Sequence, residues 1–361
     1  MRERLQIRLP YLLGMGLLLL GGSLAALVRG EGTTILAMSQ DLLVFAWGAA
    51  LANVLRHPRA ARVLIGTWCW SALAWATAIE LATLVGFSPL SGIRADNAGR
   101  VQGTLGDPNL AADYFLISLF VVLACHRPRS PRLRFLTAAV LLLAAALTGS
   151  NGGLVSTGVA VVVSAVAWLW RARGPVTAIS VVAAGICVLA VIVPAINLVS
   201  VEQRAAVASP LLQDSLGRGG ESSGSRSTLF HETSALYEQA GLLGIGPDET
   251  KTWLTNNFAP YVKEAHSDYT ASLVERGIIG AFGLLLLLGS VLRRGGALLL
   301  GPVRREYAAL VPSPQMLLGA LSIVLVSSAF YEVLHFRHVW ALFGLVAGLQ
   351  IWGRARSRVQ T

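Results

Sequence analysis

The chain has 361 residues, of which 54% are hydrophobic and only 13% are charged, and its formal net charge is +10. Soluble domains carry roughly 25% charged residues, so this composition excludes an ordinary soluble protein and indicates a chain embedded in a bilayer. The basic residues form short clusters between apolar runs, which argues against a nucleic-acid surface. The three cysteines, Cys69, Cys125 and Cys187, lie in or beside apolar runs, so neither a disulfide framework nor a metal site is indicated.

A helix needs roughly 20 apolar residues to cross the hydrocarbon core of a membrane. The sequence offers ten apolar runs of about this kind, and they cover residues 11–28, 33–55, 63–85, 109–125, 133–147, 152–170, 176–199, 267–292, 314–333 and 339–352. We therefore predict an all-α, polytopic membrane protein with about ten transmembrane helices in one integral membrane domain, 1–361.

The orientation follows from the positive-inside rule, which places Lys and Arg in short cytoplasmic connections. With a cytoplasmic N-terminus, the inside segments hold 19 of the 29 Lys and Arg residues. The sequence therefore predicts a multi-pass protein of the bacterial inner (plasma) membrane with both termini in the cytoplasm. One long hydrophilic loop, 200–265, falls on the outer, periplasmic side.

The long loop contains a pattern typical of a short amphipathic helix. Apolar residues recur at helical spacing from Leu229 to Ala240, and Gly241 ends the pattern. Arg226 would lie in the first turn, where the helix dipole disfavours a cation unless an anion is also bound. A phosphate would satisfy both the arginine and the exposed amides. The alternative is a solvated surface arginine.

Ionisable residues inside membrane spans are costly and usually functional. Asp41, Glu80 and Asp113 each lie within about two turns of the predicted outer end of a helix. The alternative is that they bind arginine or backbone groups and hold helices together. In either case they predict a hydrated polar cavity that opens outward.

His266 directly precedes the eighth apolar run. The positive end of that helix dipole would favour a neutral imidazole, which can accept a proton. A histidine at a helix start is otherwise most often a cap or an interfacial residue.

Four stretches, in this order, resemble the motifs of the O-antigen ligase and polymerase superfamily of membrane glycosyltransferases. They are 99–109, with Arg100 and Pro108-Asn109; 148–153, with Ser150-Asn151-Gly152; 226–246, with Arg226 and Gly244-Ile245-Gly246; and 266–280, with His266-Ser267 and Glu275-Arg276-Gly277-Ile278-Ile279-Gly280.

The resemblance implies transfer of a glycan from undecaprenyl diphosphate to an acceptor hydroxyl, by ligation or polymerisation, on the outer face of the inner membrane. This chemistry belongs to lipopolysaccharide and other polysaccharide biosynthesis in the cell envelope. Arg226 would hold the diphosphate and His266 would assist the acceptor, which is a glycan, a lipid or a protein. No cofactor, metal or nucleic acid is implied.

The family usually has an arginine after the serine of the second stretch, whereas this chain has Asn151. Arg100 or Arg204 would then take its place, and Arg100, Asn109, Asn151 and Arg204 form the predicted substrate-binding set. Two other functions remain open: a transporter or flippase for a lipid-linked or polyanionic substrate, and a non-catalytic subunit of a polysaccharide assembly system, which the change at Asn151 would suit.

Overall fold

The structure is a computed structural model, and it describes residues 7–29, 34–94, 99–195, 236–238, 240–256 and 267–355. The helices in this part of the chain are α1 (Leu12–Arg29), α2 (Thr34–Val54), α3 (Pro58–Leu84), α4 (Ser88–Ser91), α5 (Pro108–Cys125), α6 (Pro131–Leu147), α7 (Asn151–Arg173), α8 (Pro175–Ala195), α9 (Thr250–Asn256), α10 (Asp268–Leu300), α11 (Arg305–Ala308), α12 (Pro314–Ser327) and α13 (Arg337–Gly353). The described residues form no β-strand, apart from one isolated bridge between Val303 and Arg354. The all-α prediction is therefore confirmed.

Each of the ten predicted apolar runs coincides with a helix, but some of the bounds differ by several residues. α10 continues eight residues beyond 292, and α12 ends at Ser327, six residues before the predicted 333. Among the described residues, five helices are long and apolar enough to cross a membrane: Ile35–Val54, Pro58–Leu84, Pro108–Cys125, Asn151–Arg173 and Asp268–Leu300. Leu12–Val28, Pro175–Ile186 and Pro314–Ser327 are shorter apolar helices. The count of ten crossings stays a prediction.

Large apolar side chains are exposed on the outer faces of several long helices. Val161 of α7 is 56% exposed, and Phe282 and Leu285 of α10 are 55% and 61% exposed. In water such surfaces would favour aggregation, whereas in a bilayer they contact lipid tails of the same polarity. Together with the apolar helices, they define a multi-pass membrane protein.

The chain divides into two compact units. The first comprises Met1–Val63, Gly224–Leu310 and Ser327–Thr361, and the second comprises Leu64–Ser223 and Val311–Val326. In the first unit α1 packs along α10 and α2 packs along α13, while α10 also contacts α13. In the second unit α5 packs against α6 and α7, and α7 packs against α8.

Helix α10 is broken inside its apolar part. Gly277 has φ 64° and ψ −167°, a backbone conformation outside the helical region, and helical geometry resumes after it. The break frees backbone groups that a continuous helix would pair internally, and in a membrane protein such groups need partners. Residues 242–246, from the end of the long loop, provide them: Ile245 N–H donates to Val274 O, Gly246 N–H donates to Glu275 O, and Ile278 N–H donates to Leu242 O.

Candidate functional site

The first unit contains a group of charged side chains around the first two turns of α10, which we call the charged cluster. It consists of Asp41 of α2, Asp268, Glu275 and Arg276 of α10, and Glu332 and His335 of the connection between α12 and α13. Residues far apart in sequence therefore meet at the start of the broken helix.

Asp41 is the centre of an ion-pair chain. Its Oδ2 lies 2.6 Å from Arg276 Nη2, and both side chains are more than nine-tenths buried. Its Oδ1 lies 3.5 Å from His335 Nδ1, and His335 Nε2 lies 3.4 Å from Glu332 Oε2. The alternative interpretation of Asp41, that it binds an arginine and holds helices together, therefore agrees with the structure, and the chain also reaches a histidine.

Asp268 fastens the connection after α12 to the start of α10. Its carboxylate accepts the N–H of Val333 at 3.0 Å and that of Leu334 at 3.4 Å. In return, Asp268 N–H and the Ser267 hydroxyl both donate to Ser328 O, at 2.9 Å and 3.1 Å. This pairing explains why α12 ends at Ser327: the residues after it form irregular backbone whose polar groups are satisfied by the start of α10.

Glu275 binds residues 248 and 250 of the long loop and so fastens the loop to α10. Its Oε1 accepts the Thr250 hydroxyl at 2.7 Å, and its Oε2 accepts Asp248 N–H at 3.0 Å. Glu275 is 6% exposed and Thr250 is 1% exposed, so the contact is buried. A buried carboxylate is strongly stabilised by two donors and would be costly without them.

A small cavity lies between these side chains. Its volume is about 30 Å³, and its polar lining comes from Asp41, Asp268, Glu275, Arg276 and His335. A cavity of this size has room for one or two water-sized groups. It can therefore admit water or a hydroxyl group.

The electrostatics of the cluster favour a charged His335. Desolvation acts against the imidazolium, but the hydrogen bonds and negative charges of Asp41 and Glu332 outweigh it and raise the pKa of His335 well above the ordinary value of 6.5. Asp248 is an exposed residue beside the cluster. Partial desolvation and the nearby charge of Glu332 raise its pKa.

The second unit contains a separate polar group at the starts of α5 and α7, which we call the helix-start cluster. Arg100 Nε donates to Thr148 O at 2.7 Å, and Arg100 Nη2 donates to Asn109 Oδ1 at 2.8 Å. The same Asn109 oxygen accepts the Ser150 hydroxyl at 2.9 Å. Arg100 thus lies at the turn that leads into Asn151, the first residue of α7.

Both helices at this cluster begin with a side-chain cap. Asp107 accepts the N–H groups of Asn109 and Leu110, and Ser150 accepts the N–H of Gly153. The Oδ1 atom of Asn151 is buried and has no hydrogen-bond partner among the described residues. The N-terminus of α7, together with the arginine and the amide, is chemically suited to an anion, whereas the Asp107 carboxylate already occupies the N-terminus of α5.

Three of the predicted site residues, Arg226, His266 and Arg204, lie outside the described residues. Arg100 and Asn109 are in direct contact, and Asn151 follows Ser150 in the same cluster. Asp41 belongs to the first unit, whereas Glu80 and Asp113 belong to the second. A cavity shared by these three acids stays a prediction.

The described residues contain no group of three or more His, Cys, Asp or Glu side chains that could hold a metal ion. Cys69 and Cys125 are buried and free.

Sequence reasoning did not place Glu275, Arg276, Glu332 and His335 in the site. The rule that charges inside spans are functional applies to Glu275 and Arg276 as much as to Asp41, and it would have found them. Nothing local connects His335 to the site, because its partner Asp41 lies on α2, more than 290 residues earlier in the sequence.

The four stretches that carry the family resemblance meet in pairs. The first and second, 99–109 and 148–153, are joined by the bonds of Arg100 and Asn109. The third and fourth, 226–246 and 266–280, are joined by the backbone bonds of Leu242, Ile245 and Gly246 with α10. Each stretch is therefore in contact with one of the others.

A broken membrane helix with a buried charged cluster, and two capped helix starts around an arginine, define a multi-pass membrane protein with polar sites inside its units. A family model described as O-antigen ligase matches residues 136–285, and this match supports membership of the O-antigen ligase superfamily. The predicted resemblance is thereby confirmed. A comparison with curated proteins finds no match.

Proposed function

We propose that this protein transfers a glycan from undecaprenyl diphosphate to an acceptor hydroxyl on the outer face of the inner membrane. The observation that carries the proposal is the O-antigen ligase match over residues 136–285, which includes both Arg226 and His266. The family supports glycan transfer of the ligase or polymerase type, and the donor, the sidedness and the residue roles are our proposal.

In the proposed reaction the acceptor hydroxyl attacks the anomeric carbon of the lipid-linked glycan. The bond between that carbon and the diphosphate oxygen breaks, His266 takes the hydroxyl proton, and undecaprenyl diphosphate leaves. A positioned base contributes about 10²- to 10⁴-fold in rate. Fixed cations that stabilise the departing diphosphate contribute in the same step.

Arg226 is the proposed diphosphate ligand, and Arg100, Asn109, Asn151 and Arg204 are the proposed substrate-binding set. The helix-start cluster supports this assignment, because Arg100 approaches the turn before α7, where the family usually has an arginine. The charged cluster is a poor diphosphate site, because its four carboxyl groups outnumber Arg276 and His335. Its small cavity is better suited to a hydroxyl group.

The start of α10 supports the role of His266. Ser267, the next residue, is the N-cap of α10 and its hydroxyl donates to Ser328 O. Asp268, which directly follows Ser267, lines the cavity and accepts the N–H groups of Val333 and Leu334. The two residues that follow His266 in the sequence are therefore held in place, which supports its proposed role as a positioned base.

The test separates donor binding from transfer in two variants. Arg226→Ala should weaken binding of undecaprenyl diphosphate by roughly 1.5 to 3 kcal/mol, because a charge-assisted contact is lost. His266→Ala should bind the donor as the wild type does but stop transfer, because a base acts mainly in the transition state. Both are measured in proteoliposomes with a lipid-linked glycan, with His57→Ala as the control.

In cells, His266→Ala should also accumulate undecaprenyl-linked glycan. Full transfer by His266→Ala would contradict the assignment of His266 as the base.

A further inference from the structure

Segment 242–250 of the long loop is attached to α10 by side-chain and backbone hydrogen bonds. Both oxygens of the Glu275 carboxylate are used: one accepts the Thr250 hydroxyl and the other accepts Asp248 N–H. Ile245 and Gly246 donate to the carbonyl groups of Val274 and Glu275. Five hydrogen bonds, including that of Ile278 N–H to Leu242 O, thus hold segment 242–250 on the broken helix.

The two backbones approach so closely that only glycine fits at the crossing. A Cβ on Gly244 would lie 2.6 Å from the Glu275 carbonyl oxygen, and a Cβ on Gly277 would overlap the Leu242 carbonyl. Both glycines also have positive φ, at 87° and 64°. The contact therefore requires glycine at both positions, 244 and 277.

A small hydrophobic cluster includes a residue of the same segment. Leu236, Ala240, Ile245 and Val274 are buried together, with Tyr237 and Trp253 packed against them. The part of the predicted amphipathic helix that the structure describes thus turns its apolar residues toward the crossing.

The attached segment lies midway in the sequence between the two proposed reacting residues. Leu242 comes sixteen residues after Arg226, and Thr250 comes sixteen residues before His266. Without the attachment, one free stretch of the long loop would separate the two proposed reacting residues. Fixing its middle lowers the entropy that must be lost when Arg226 and His266 come together on the substrate.

From this arrangement we infer that Glu275 is a positioning residue for glycan transfer, because it holds on α10 the segment 242–250, which lies between Arg226 and His266 in the sequence. The inference rests on the proposed function. Glu275 does not act as a base, because both its oxygens already accept hydrogen bonds and the residue is 6% exposed. Its contribution reaches the reaction through Asp248 and Thr250.

The test compares two substitutions of the same partner. Thr250→Val keeps the shape of the side chain but removes the hydroxyl that donates to Glu275, whereas Thr250→Ser keeps the hydroxyl. Thr250→Val should speed hydrogen exchange of the amides in 245–250 and lower kcat, each on the order of tenfold, because a hydrogen bond to a carboxylate is lost. Thr250→Ser should match the wild type in both measurements.

Thr255→Val is the control in the same short helix. The Thr255 side chain is exposed and its hydroxyl donates only to Lys251 O, one turn earlier. This variant should leave exchange in 245–250 and kcat unchanged. Glu275→Gln, which keeps the volume and loses one acceptor, should show the same changes as Thr250→Val, and the double variant should add little to either.

The measurements distinguish failure of this inference from failure of the proposed function. Faster exchange in 245–250 with an unchanged kcat would overturn the positioning role, while the transfer activity would stand. Equal behaviour of Thr250→Val and Thr250→Ser would overturn the role of the hydroxyl contact. Absence of transfer by the wild-type protein, with protected amides in 245–250, would overturn the proposed function and the positioning role with it.

Discussion

His335 lies between two carboxylates, and each contacts a different nitrogen of its ring. Asp41 is 3.5 Å from Nδ1 and Glu332 is 3.4 Å from Nε2. Arg276, Asp268 and Asp248 are further ionisable groups around this chain of contacts, from α10 and the long loop. The protonated ring therefore links α2 to the connection before α13.

This arrangement predicts how the stability of the protein depends on pH. The pKa of His335 is raised in the folded state, because Asp41 and Glu332 outweigh desolvation, while an unfolded histidine titrates near 6.5. Its contribution to stability is therefore complete below about pH 6.5 and is lost as the pH rises through the higher folded pKa.

His335→Gln should lower the melting temperature of the purified protein at pH 6, because the variant cannot carry the charge. The gap between variant and wild type should close as the pH is raised well above 6.5, since the wild-type ring also becomes neutral. Substitution of the exposed His57 by Gln is the control. A gap that stays constant across the pH range would show that shape, not charge, is responsible.

At the scale of the helix, the break in α10 depends on one residue. Gly277 has positive φ, and any side chain there would overlap the Leu242 carbonyl. Gly277→Ala should destabilise the protein by about 2 to 5 kcal/mol, from backbone strain together with overpacking. Equilibrium unfolding in mixed micelles measures the change.

Gly289→Ala is the matched control, because this glycine lies in the regular part of α10 and an added Cβ meets nothing within 4 Å. The change there should be less than about 1 kcal/mol. Equal effects of the two substitutions would mean that the crossing of 242–246 over α10 does not depend on Gly277.

The helices themselves could be predicted because the length and hydropathy of an apolar run are local properties. The predicted bounds were less accurate where a helix begins or ends for a reason other than hydropathy. α3 begins at Pro58, before its apolar run, because proline fits the first turn of a helix. α10 continues past Arg293 because the next residue, Arg294, bonds Gln350 and packs over the Tyr11 ring, so the charges do not end the helix.

The site was only partly predictable from the sequence. Arg100, Asn109 and Asn151 lie in motifs, and the motifs meet in the helix-start cluster. The charged cluster joins residues from α2, α10 and the last connection, so it depends on tertiary packing that no sequence spacing encodes. Periodicity likewise gives no sign that residues 242–250 would attach to a broken helix.

At the scale of the whole molecule, the proposed chemistry requires a defined orientation in the membrane. Undecaprenyl-linked glycans would reach Arg226 and His266 only if the long loop, 200–265, faces the periplasm. The distribution of Lys and Arg predicts this side, because the termini and connections that would be cytoplasmic hold 19 of the 29 basic residues. Orientation and mechanism are therefore tested together.

Single cysteines provide the measurement, because Cys69 and Cys125 are buried and Cys187 can be replaced by alanine as background. Ser222→Cys, in the long loop, should react with an impermeant thiol reagent in intact spheroplasts. Ser130→Cys, on the exposed connection before α6, should react only after permeabilisation. The reverse pattern would place the loop in the cytoplasm, where the acceptor and the proposed base could not meet on the outer face.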